Sequence, residues 1–278
     1  MRLIKPTRTA KLKSMKILYI GDVMAEMGMS AVEQVLPGLR KEQSIDVVLA
    51  QAENVTAGKG FSVADYERLR AAGVDGFTGG NWTTFRKETL NMLSDEKIPV
   101  TGPANMVECP GPGFKYVDSP AGKVLIVSLL GKIVGRDAEK PVTNPIEKIE
   151  EILASQADVP RAATVVNVHG DYSSEKVVMG HFLDGRVTAV VGDHWHVPTA
   201  YARVLPKGTA HQTDVGMCGS LDSSLGVTLT SVIPRWRDGI QTKNVLETAG
   251  RMQFNGLLIE VDESSGLADA VKPIRLIF

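Results

Sequence analysis

The 278-residue chain has only two cysteines and no long hydrophobic run. None of its apolar stretches approaches the ~20 residues that a membrane-spanning helix needs, so the sequence argues against an integral helical membrane protein. Cys109 and Cys218 do not form any of the paired spacings that are typical of zinc or dithiol sites. We therefore expect a cytoplasmic protein without a cysteine-based site.

The sequence also lacks the motifs of several common enzyme classes. Residues 21–28, which follow the first predicted strand, are not a glycine-rich dinucleotide loop, and Gly58-Lys59-Gly60 lacks the spacing of a P-loop. A Gly-x-Ser-x-Gly nucleophile elbow is absent as well. These absences argue against nucleotide-binding enzymes of those two types and against a serine hydrolase of the elbow type.

Charge and composition favour a folded, mildly acidic protein. The chain is 43% hydrophobic and 23% charged with a net charge of −1, and five basic residues without an acid lie in the first 14 positions. We interpret residues 1–14 as a disordered basic extension and residues 15–278 as a single domain. The acidic remainder argues against an extended nucleic-acid surface.

Several polar residues stand where a short apolar run ends. The runs begin at residues 16, 47, 74, 164 and 187 and are typical of buried strands. In open α/β sheets the ligand crevice lies outside the carboxyl ends of the strands, so side chains at five such ends can converge on one site. The residues in these positions are Asp22, Glu53, Asn54, Asn81, His169, His194 and His196.

Between and after these runs the pattern alternates. Helices are predicted over residues 30–43 with Ser30 as N-cap, 62–73, 86–96 and 144–155. Residues 114–130 are typical of a hairpin, and two further strands are predicted at 256–261 and 270–277. We predict an α/β fold in which two mixed sheets are stacked between helical layers.

The side chains at the strand ends are carboxylates, amides and imidazoles, a mixture that suits Mn²⁺, Fe or Zn²⁺ better than Ca²⁺. Such a carboxylate can bridge two ions ~3.5–4 Å apart that together bind a phosphate and lower the pKa of a water, and Glu53 is the natural bridge. Taken singly, each residue has a structural explanation: Asp22 or Asn81 would cap a turn, and His194 and His196 would be a surface feature. Their shared position favours a metal site.

The same residues belong to an ordered set of short motifs that spans about residues 16–277. The motifs are Gly21-Asp22-Val23, Ala52-Glu53-Asn54, Gly58-Lys59-Gly60, Gly80-Asn81, Pro103-Ala104-Asn105, Val168-His169, Ser174-Glu175-Lys176, Asp184-Gly185-Arg186, His194-Trp195-His196-Val197, Leu205-Pro206-Lys207-Gly208-Thr209 and Thr213-Asp214-Val215-Gly216-Met217. In this combination the chain resembles the YmdB-like branch of the calcineurin-like metallophosphoesterases.

The resemblance implies a four-layer α/β/β/α sandwich with a dinuclear centre and phosphodiesterase activity, including activity on 2′,3′- or 3′,5′-cyclic nucleotides. It also implies a bacterial, cytoplasmic protein that can form a homo-oligomer. One divalent ion would be held by Asp22, Glu53, Asn54 and His196, and the other by Glu53, Asn81, His169 and His194. Fe or Mn would be the first choice of metal, with Zn or Mg as alternatives.

Within this resemblance we assign catalytic roles to Glu53, Asn54 and Trp82, and substrate binding to Lys59 and Asn105. The expected substrate is a small phosphodiester or nucleotide.

Two positions depart from the family pattern. The family has a histidine after the asparagine ligand, where it serves as general acid, but here Asn81 is followed by Trp82; Tyr201 also replaces a family aspartate. A general acid contributes ~10²–10⁴-fold to a rate, and indole does not supply a proton to a leaving alkoxide.

Three interpretations of Trp82 stay open. In the first, the substrate needs little protonation of its leaving group. In the second, another residue such as Asp171, Tyr172 or His211 acts as the acid. In the third, catalysis is weakened and the protein keeps the metal site as a nucleotide-binding or regulatory protein.

Overall fold

The computed structural model describes residues 14–134 and 140–278. The predicted extension over residues 1–14 lies outside the described residues, apart from Ser14. The strands are β1 Met15–Ile20, β2 Asp22–Val23, β3 Val47–Gln51, β4 Gly76–Thr78, β5 Phe114–Ser119, β6 Gly122–Leu130, β7 Ala163–His169, β8 Ala189–Asp193, β9 Arg203–Val204, β10 Ala210–Gln212, β11 Met217–Ser220, β12 Met252–Val261 and β13 Ala268–Ile277. The helices are α1 Ala25–Gln43, α2 Val63–Ala72, α3 Lys87–Ser94, α4 Pro145–Ser155, α5 Ser173–Phe182 and α6 Leu229–Asp238.

The strands form two mixed sheets, which confirms the predicted fold class. The first sheet has the order β2-β11-β12-β1-β3-β4, with β13 added to β12, and its β1, β3 and β4 run parallel. The second sheet has the order β5-β6-β7-β8-β10-β9, in which β6, β7, β8 and β10 run parallel. The predicted hairpin is the antiparallel pair β5 and β6.

Three apolar cores separate the four layers of the fold. The first lies between the first sheet and its helices and includes Leu18, Val48, Val32, Leu36 and Leu69. The second lies between the two sheets and includes Ile17, Leu49, Ile126, Val165 and Val191. The third lies between the second sheet and α4 and α5 and includes Leu125, Val166, Ile149, Ile152 and Met179. Alternate residues of the central strands thus face opposite cores, as the period of a strand requires.

Local signals set most of the predicted helix ends. Ser62 caps α2 by accepting a hydrogen bond from the Asp65 N–H, and α2 ends at Gly73, whose φ is 107°. Asn144 caps α4 in the same way, with Pro145 at the first turn.

The predicted start of α1 at Ser30 is wrong. α1 begins at Ala25, because its first turn packs on the sheet: a Cβ on Gly28 would lie 2.6 Å from the Cys218 carbonyl oxygen. Helices α5 and α6 were not predicted from the sequence.

The parallel strands of both sheets end at one edge of the sandwich. In the second sheet, Leu130, His169 and Asp193 lie in register across β6, β7 and β8. In the first sheet, Ala50 lies opposite Ile20 and Phe77, so β1, β3 and β4 end together too. The loops beyond these ends carry the polar residues predicted to form the site. Among the described residues, no helix has the length and apolar character needed to cross a membrane.

Candidate metal centre

The strand ends of both sheets bring the predicted ligands together around His169. His169 ends β7 and is fully buried, and its Nε2 lies 2.7 Å from Asn81 Oδ1 and 3.2 Å from Glu53 Oε1. Ligand atoms of Glu53, His169 and His194 all lie within 4.8 Å of one another. One oxygen and two imidazole nitrogens at this separation are suited to a transition-metal ion or Zn²⁺.

Asp22 and His196 extend this cluster, and ligand atoms of Asp22, His169 and Asp193 also lie within 4.8 Å of one another. Asp22 Oδ1 lies 3.7 Å from His196 Nε2, and Asp22 Oδ2 accepts a hydrogen bond from the His194 N–H at 3.2 Å. Within the described part of the chain, Asp22 Oδ1 and Asn54 Oδ1 are buried without a hydrogen-bond partner. Buried oxygens are costly to leave unpaired. The Asp22 oxygen beside His196 and the unpartnered Asn54 oxygen therefore fit a bound cation.

The backbone is shaped so that these side chains can meet. A Cβ on Gly80 would lie 2.4 Å from His169 Cγ and 2.5 Å from Glu53 Oε2, so a side chain at this position would displace the cluster. His194 and His196 have φ values of 101° and 62°, which are unusual for residues other than glycine. Such strain is found where the surrounding structure requires it, as at functional sites.

Burial tunes the protonation of the site. It lowers the pKa of both His194 and His196 to about 4, so both imidazoles are neutral at pH 7. Burial works against charge on Glu53, but the His169 imidazole and the Trp82 N–H outweigh it and lower the pKa of Glu53. Neutral imidazoles and ionised carboxylates are the forms that bind metals. At His169 burial lowers the pKa but the Glu53 and Asp193 carboxylates outweigh it and raise it, so a metal ion there would displace a proton.

Asp193 is a site residue that the sequence reasoning missed. Its Oδ1 lies 2.6 Å from His169 Nδ1, and its Oδ2 accepts a hydrogen bond from the Tyr19 hydroxyl at 2.9 Å and another from Asn167. Asp193 thus turns Nε2 of His169 towards Glu53 and Asn81. Its position at the end of the same apolar run as His194 is the signal that could have found it.

Trp82 joins the cluster through its backbone and stands at its rim. Its N–H donates to Glu53 Oε2 at 2.8 Å, and the Lys59 ammonium lies 3.7 Å from the centre of its ring. Lys140 donates to the Asn81 carbonyl oxygen, and its ammonium lies 5.1 Å from the same ring. Two ammonium groups therefore stand beside the Trp82 ring, at the position where the sequence resemblance implies a histidine.

The three residues considered as replacement acids differ in placement. Asp171 Oδ1 lies 3.3 Å from His194 Nε2, which places it next to the cluster. Tyr172 is half exposed at 50%, and His211 is buried in β10, where its Nδ1 lies 2.8 Å from the Val190 carbonyl oxygen. Of the three, Asp171 alone contacts a predicted ligand within the described chain.

The predicted substrate-binding residues lie in different surroundings. Lys59 is partly exposed beside Trp82, as described above. Asn105 is 2% exposed; its amide donates to the carbonyl oxygens of Leu130 and Thr143, and its Oδ1 accepts from the Leu130 N–H. These bonds hold the segment around Asn105 against the end of β6. The role of Asn105 in substrate binding stays a prediction.

Known proteins resemble this chain over nearly its full length. A sequence model described as YmdB-like protein matches residues 18–274. A protein of Bacillus subtilis (strain 168) named 2′,3′-cyclic-nucleotide 2′-phosphodiesterase is 34% identical over 94% of this chain and 97% of its own length. A putative phosphatase/phosphodiesterase of Mycoplasma pneumoniae is 33% identical over 96% of this chain and 94% of its own length.

Solved structures show the same relationship. A hypothetical protein from Thermus thermophilus is 36% identical with a TM-score of 0.84, covering 95% of this chain and 99% of its own. A phosphatase from Mycoplasma pneumoniae is 30% identical with a TM-score of 0.87, covering 95% and 94%. A 5′-nucleotidase precursor, also from Thermus thermophilus, is 13% identical with a TM-score of 0.53 over 96% of this chain and 55% of its own, and shares the fold. The resemblance seen in the sequence is confirmed, and the chain belongs to the YmdB-like protein family.

Proposed function

We propose that this protein is a metal-dependent phosphoric diester hydrolase that acts on cyclic nucleotides through a dinuclear centre. The observation that carries the proposal is the cluster in which ligand atoms of Glu53, His169 and His194 lie within 4.8 Å of one another. The buried, unpartnered oxygens of Asp22 and Asn54 support it, and ligand atoms of Asp22, His169 and Asp193 also lie within 4.8 Å of one another. The name of the Bacillus subtilis relative supports cyclic nucleotides as the substrate class.

The proposed ligand sets are those expected from the sequence. Asp22, Glu53, Asn54 and His196 would hold one ion, and Glu53, Asn81, His169 and His194 the other. When bound, such a pair neutralises phosphate oxygens and makes water a stronger nucleophile at neutral pH. The mixed oxygen and nitrogen ligands favour Fe or Mn, with Zn or Mg as alternatives.

The protein's own groups prepare the site for a phosphodiester. The Trp82 N–H fixes one oxygen of Glu53, and Asp193 fixes the ring of His169. Lys59 lies at the rim beside the Trp82 ring, where its charge is available to a substrate phosphate. Pre-oriented charges of this kind stabilise a transition state without reorganisation during the reaction.

A second candidate function is favoured by Trp82 itself. An indole next to Asn81 in place of the family histidine does not supply a proton, so the protein would bind nucleotides and metal but turn over slowly. The cytoplasmic location and a homo-oligomeric state also stay predictions from the sequence.

Hydrolysis assays distinguish the two functions. Protein loaded with Mn²⁺ or Fe²⁺ is given bis-p-nitrophenyl phosphate and 2′,3′-cyclic AMP, and bound metal is counted in the same sample. We expect about two ions per chain and turnover that is lost with chelator. His169→Ala should abolish turnover and lower the metal content by about one ion per chain, whereas His181→Ala, an exposed histidine, should change neither. Two bound ions without turnover would favour the second function, and full metal content in His169→Ala would contradict the ligand assignment.

A further inference from the structure

A large cleft opens beside the metal centre, between the loop that carries Lys59 and the segment that follows α6. Its volume is about 1030 Å³, which is at the upper end of the ~300–1,000 Å³ of typical small-ligand pockets. We call Met24, residues 57–59 and Trp82, together with Val227 and Leu246 that pack on Met24, the inner wall, and Arg235 with residues 239–244 the outer wall. The cleft therefore has room for more than one nucleotide.

The inner wall is bonded directly to the proposed ligands. Trp82 donates its N–H to Glu53, and the Asn54 amide donates to the Gly58 carbonyl oxygen at 3.3 Å. Met24 follows Asp22 by two residues and packs into the cluster of Met217, Val227 and Val232. The cleft is therefore adjacent to the metal centre, with Trp82 and Gly58 each one hydrogen bond away from a proposed ligand.

Positive charge lines the cleft without a balancing acid. Its described lining residues include Lys59, Arg235 and Lys243 and no aspartate or glutamate. Lys243 lines the cleft, is exposed and forms no ion pair with another described residue. Arg235 and Lys59 lie on opposite walls. This local charge contrasts with the net negative charge of the whole chain.

The outer wall is held in place by hydrogen bonds. The Arg235 guanidinium donates to the carbonyl oxygen and the hydroxyl of Thr242 at 3.0 Å each and to Asn244 Oδ1 at 2.8 Å. These bonds tie the segment that carries Lys243 to α6. The apolar side chain of Ile240 stands on this wall and the Trp82 ring on the other. The cleft thus combines fixed cations with apolar and aromatic surface, which is the combination found in single-strand binding sites.

We propose that this site also takes linear, single-stranded oligonucleotides, whose chain lies along the cleft while one phosphodiester reaches the metal centre. The proposal rests on the proposed function. A cyclic mononucleotide carries one phosphate and leaves Lys243 without a partner, whereas an oligonucleotide offers a phosphate to each cation. In the reaction, a P–O bond to a water oxygen forms, a P–O bond to a sugar oxygen breaks, and that oxygen takes up a proton.

A binding measurement tests the cleft without relying on turnover. Fluorescein-labelled hexathymidylate with phosphorothioate linkages is titrated with Mn²⁺-loaded protein by fluorescence polarisation at 50–200 mM KCl. Each phosphate contact contributes about −0.7 to the slope of log K against log salt for a single strand, so three cations predict a slope of about −2. Lys243→Ala should flatten the slope by about 0.7, and Lys272→Ala, an exposed lysine on β13, should leave it unchanged. A slope near zero, or equal slopes for the two variants, would overturn the proposal.

A kinetic measurement separates this proposal from the proposed function. Specificity constants are compared for hexathymidylate, 2′,3′-cyclic AMP and bis-p-nitrophenyl phosphate. We expect hexathymidylate to be preferred over cyclic AMP at low salt, and Lys243→Ala to reduce that preference about two- to fivefold, the value of an exposed ion pair. Turnover of the two small substrates without such a preference would refute the oligonucleotide proposal but leave the proposed diesterase function intact. Salt-dependent oligonucleotide binding without hydrolysis of any substrate would refute the diesterase and keep the cleft as a binding site.

Discussion

Asp193 Oδ1 lies 2.6 Å from Nδ1 of His169, and both side chains are fully buried at the junction of the two sheets. This pair decides which ring nitrogen of His169 faces the centre, because Nδ1 is taken by the carboxylate and Nε2 is left towards Glu53 and Asn81. Carboxylate partners of this kind orient metal-binding histidines and raise their basicity.

Asp193→Asn should weaken metal binding while preserving the shape of the site. The amide keeps the size of the carboxylate but loses its charge, and the loss of such a partner typically costs 10–100-fold in affinity. Titration calorimetry with Mn²⁺ measures the change. Asp184→Asn serves as the control, because Asp184 is also buried but accepts its hydrogen bonds from the N–H groups of Lys207 and Thr209. Unchanged affinity in Asp193→Asn would contradict the positioning role.

Trp82→His should introduce the general acid that the sequence resemblance implies at this position. A positioned histidine contributes ~10²–10⁴-fold where the leaving group needs a proton and little where it does not. We therefore expect turnover of 2′,3′-cyclic AMP to rise much more than turnover of bis-p-nitrophenyl phosphate. Trp82→Phe is the matched control, because it changes the indole without adding a titratable group. An equal gain on both substrates, or none, would show that another group already acts as the acid.

Tyr19→Phe should destabilise the protein, because it removes the hydroxyl that bonds to Thr78 and Asp193 in the interior. The buried hydroxyl lies 2.7 Å from Thr78 Oγ1 and donates to Asp193 Oδ2. Its removal leaves partners in the interior unpaired, which costs about 1–3 kcal/mol. Urea denaturation in chelator measures the free energy of unfolding. Tyr116→Phe loses a half-buried bond to Gln156 and should cost less than ~1 kcal/mol. An equal loss of unfolding free energy in the two variants would contradict the stabilising role of the buried Tyr19 hydrogen bonds.

Cys109 should react slowly with thiol reagents in the native protein. Burial raises the pKa of its thiol to about 12, so the thiolate, which is the reactive form, is scarce at pH 8. Because the pKa is raised, the rate should increase about tenfold per pH unit from pH 8 to pH 10. Cys218→Ala removes the second cysteine, and the same variant in urea gives the rate of the unfolded thiol. Fast native reaction at pH 8 would show that Cys109 is more open than in this structure.

Much of the fold was accessible from local sequence signals. Apolar runs marked the central strands, and Ser62, Gly73 and Asn144 marked helix ends, because capping depends on residues a few positions apart. The start of α1 was not accessible in this way. It depends on the close approach of Gly28 to Cys218, a residue 190 positions away in the sequence.

The sequence by itself determined which side chains stand at strand ends and that Trp82 follows Asn81. Only the tertiary structure decided that Asp193 orients His169, that the Asn105 amide hydrogen-bonds to the backbone, and that Lys59 and Lys243 line one cleft. The physical reason is that strand order places the ends of separate segments together, while the direction of each side chain and the partner it meets depend on packing between both sheets, which no single segment of the chain records.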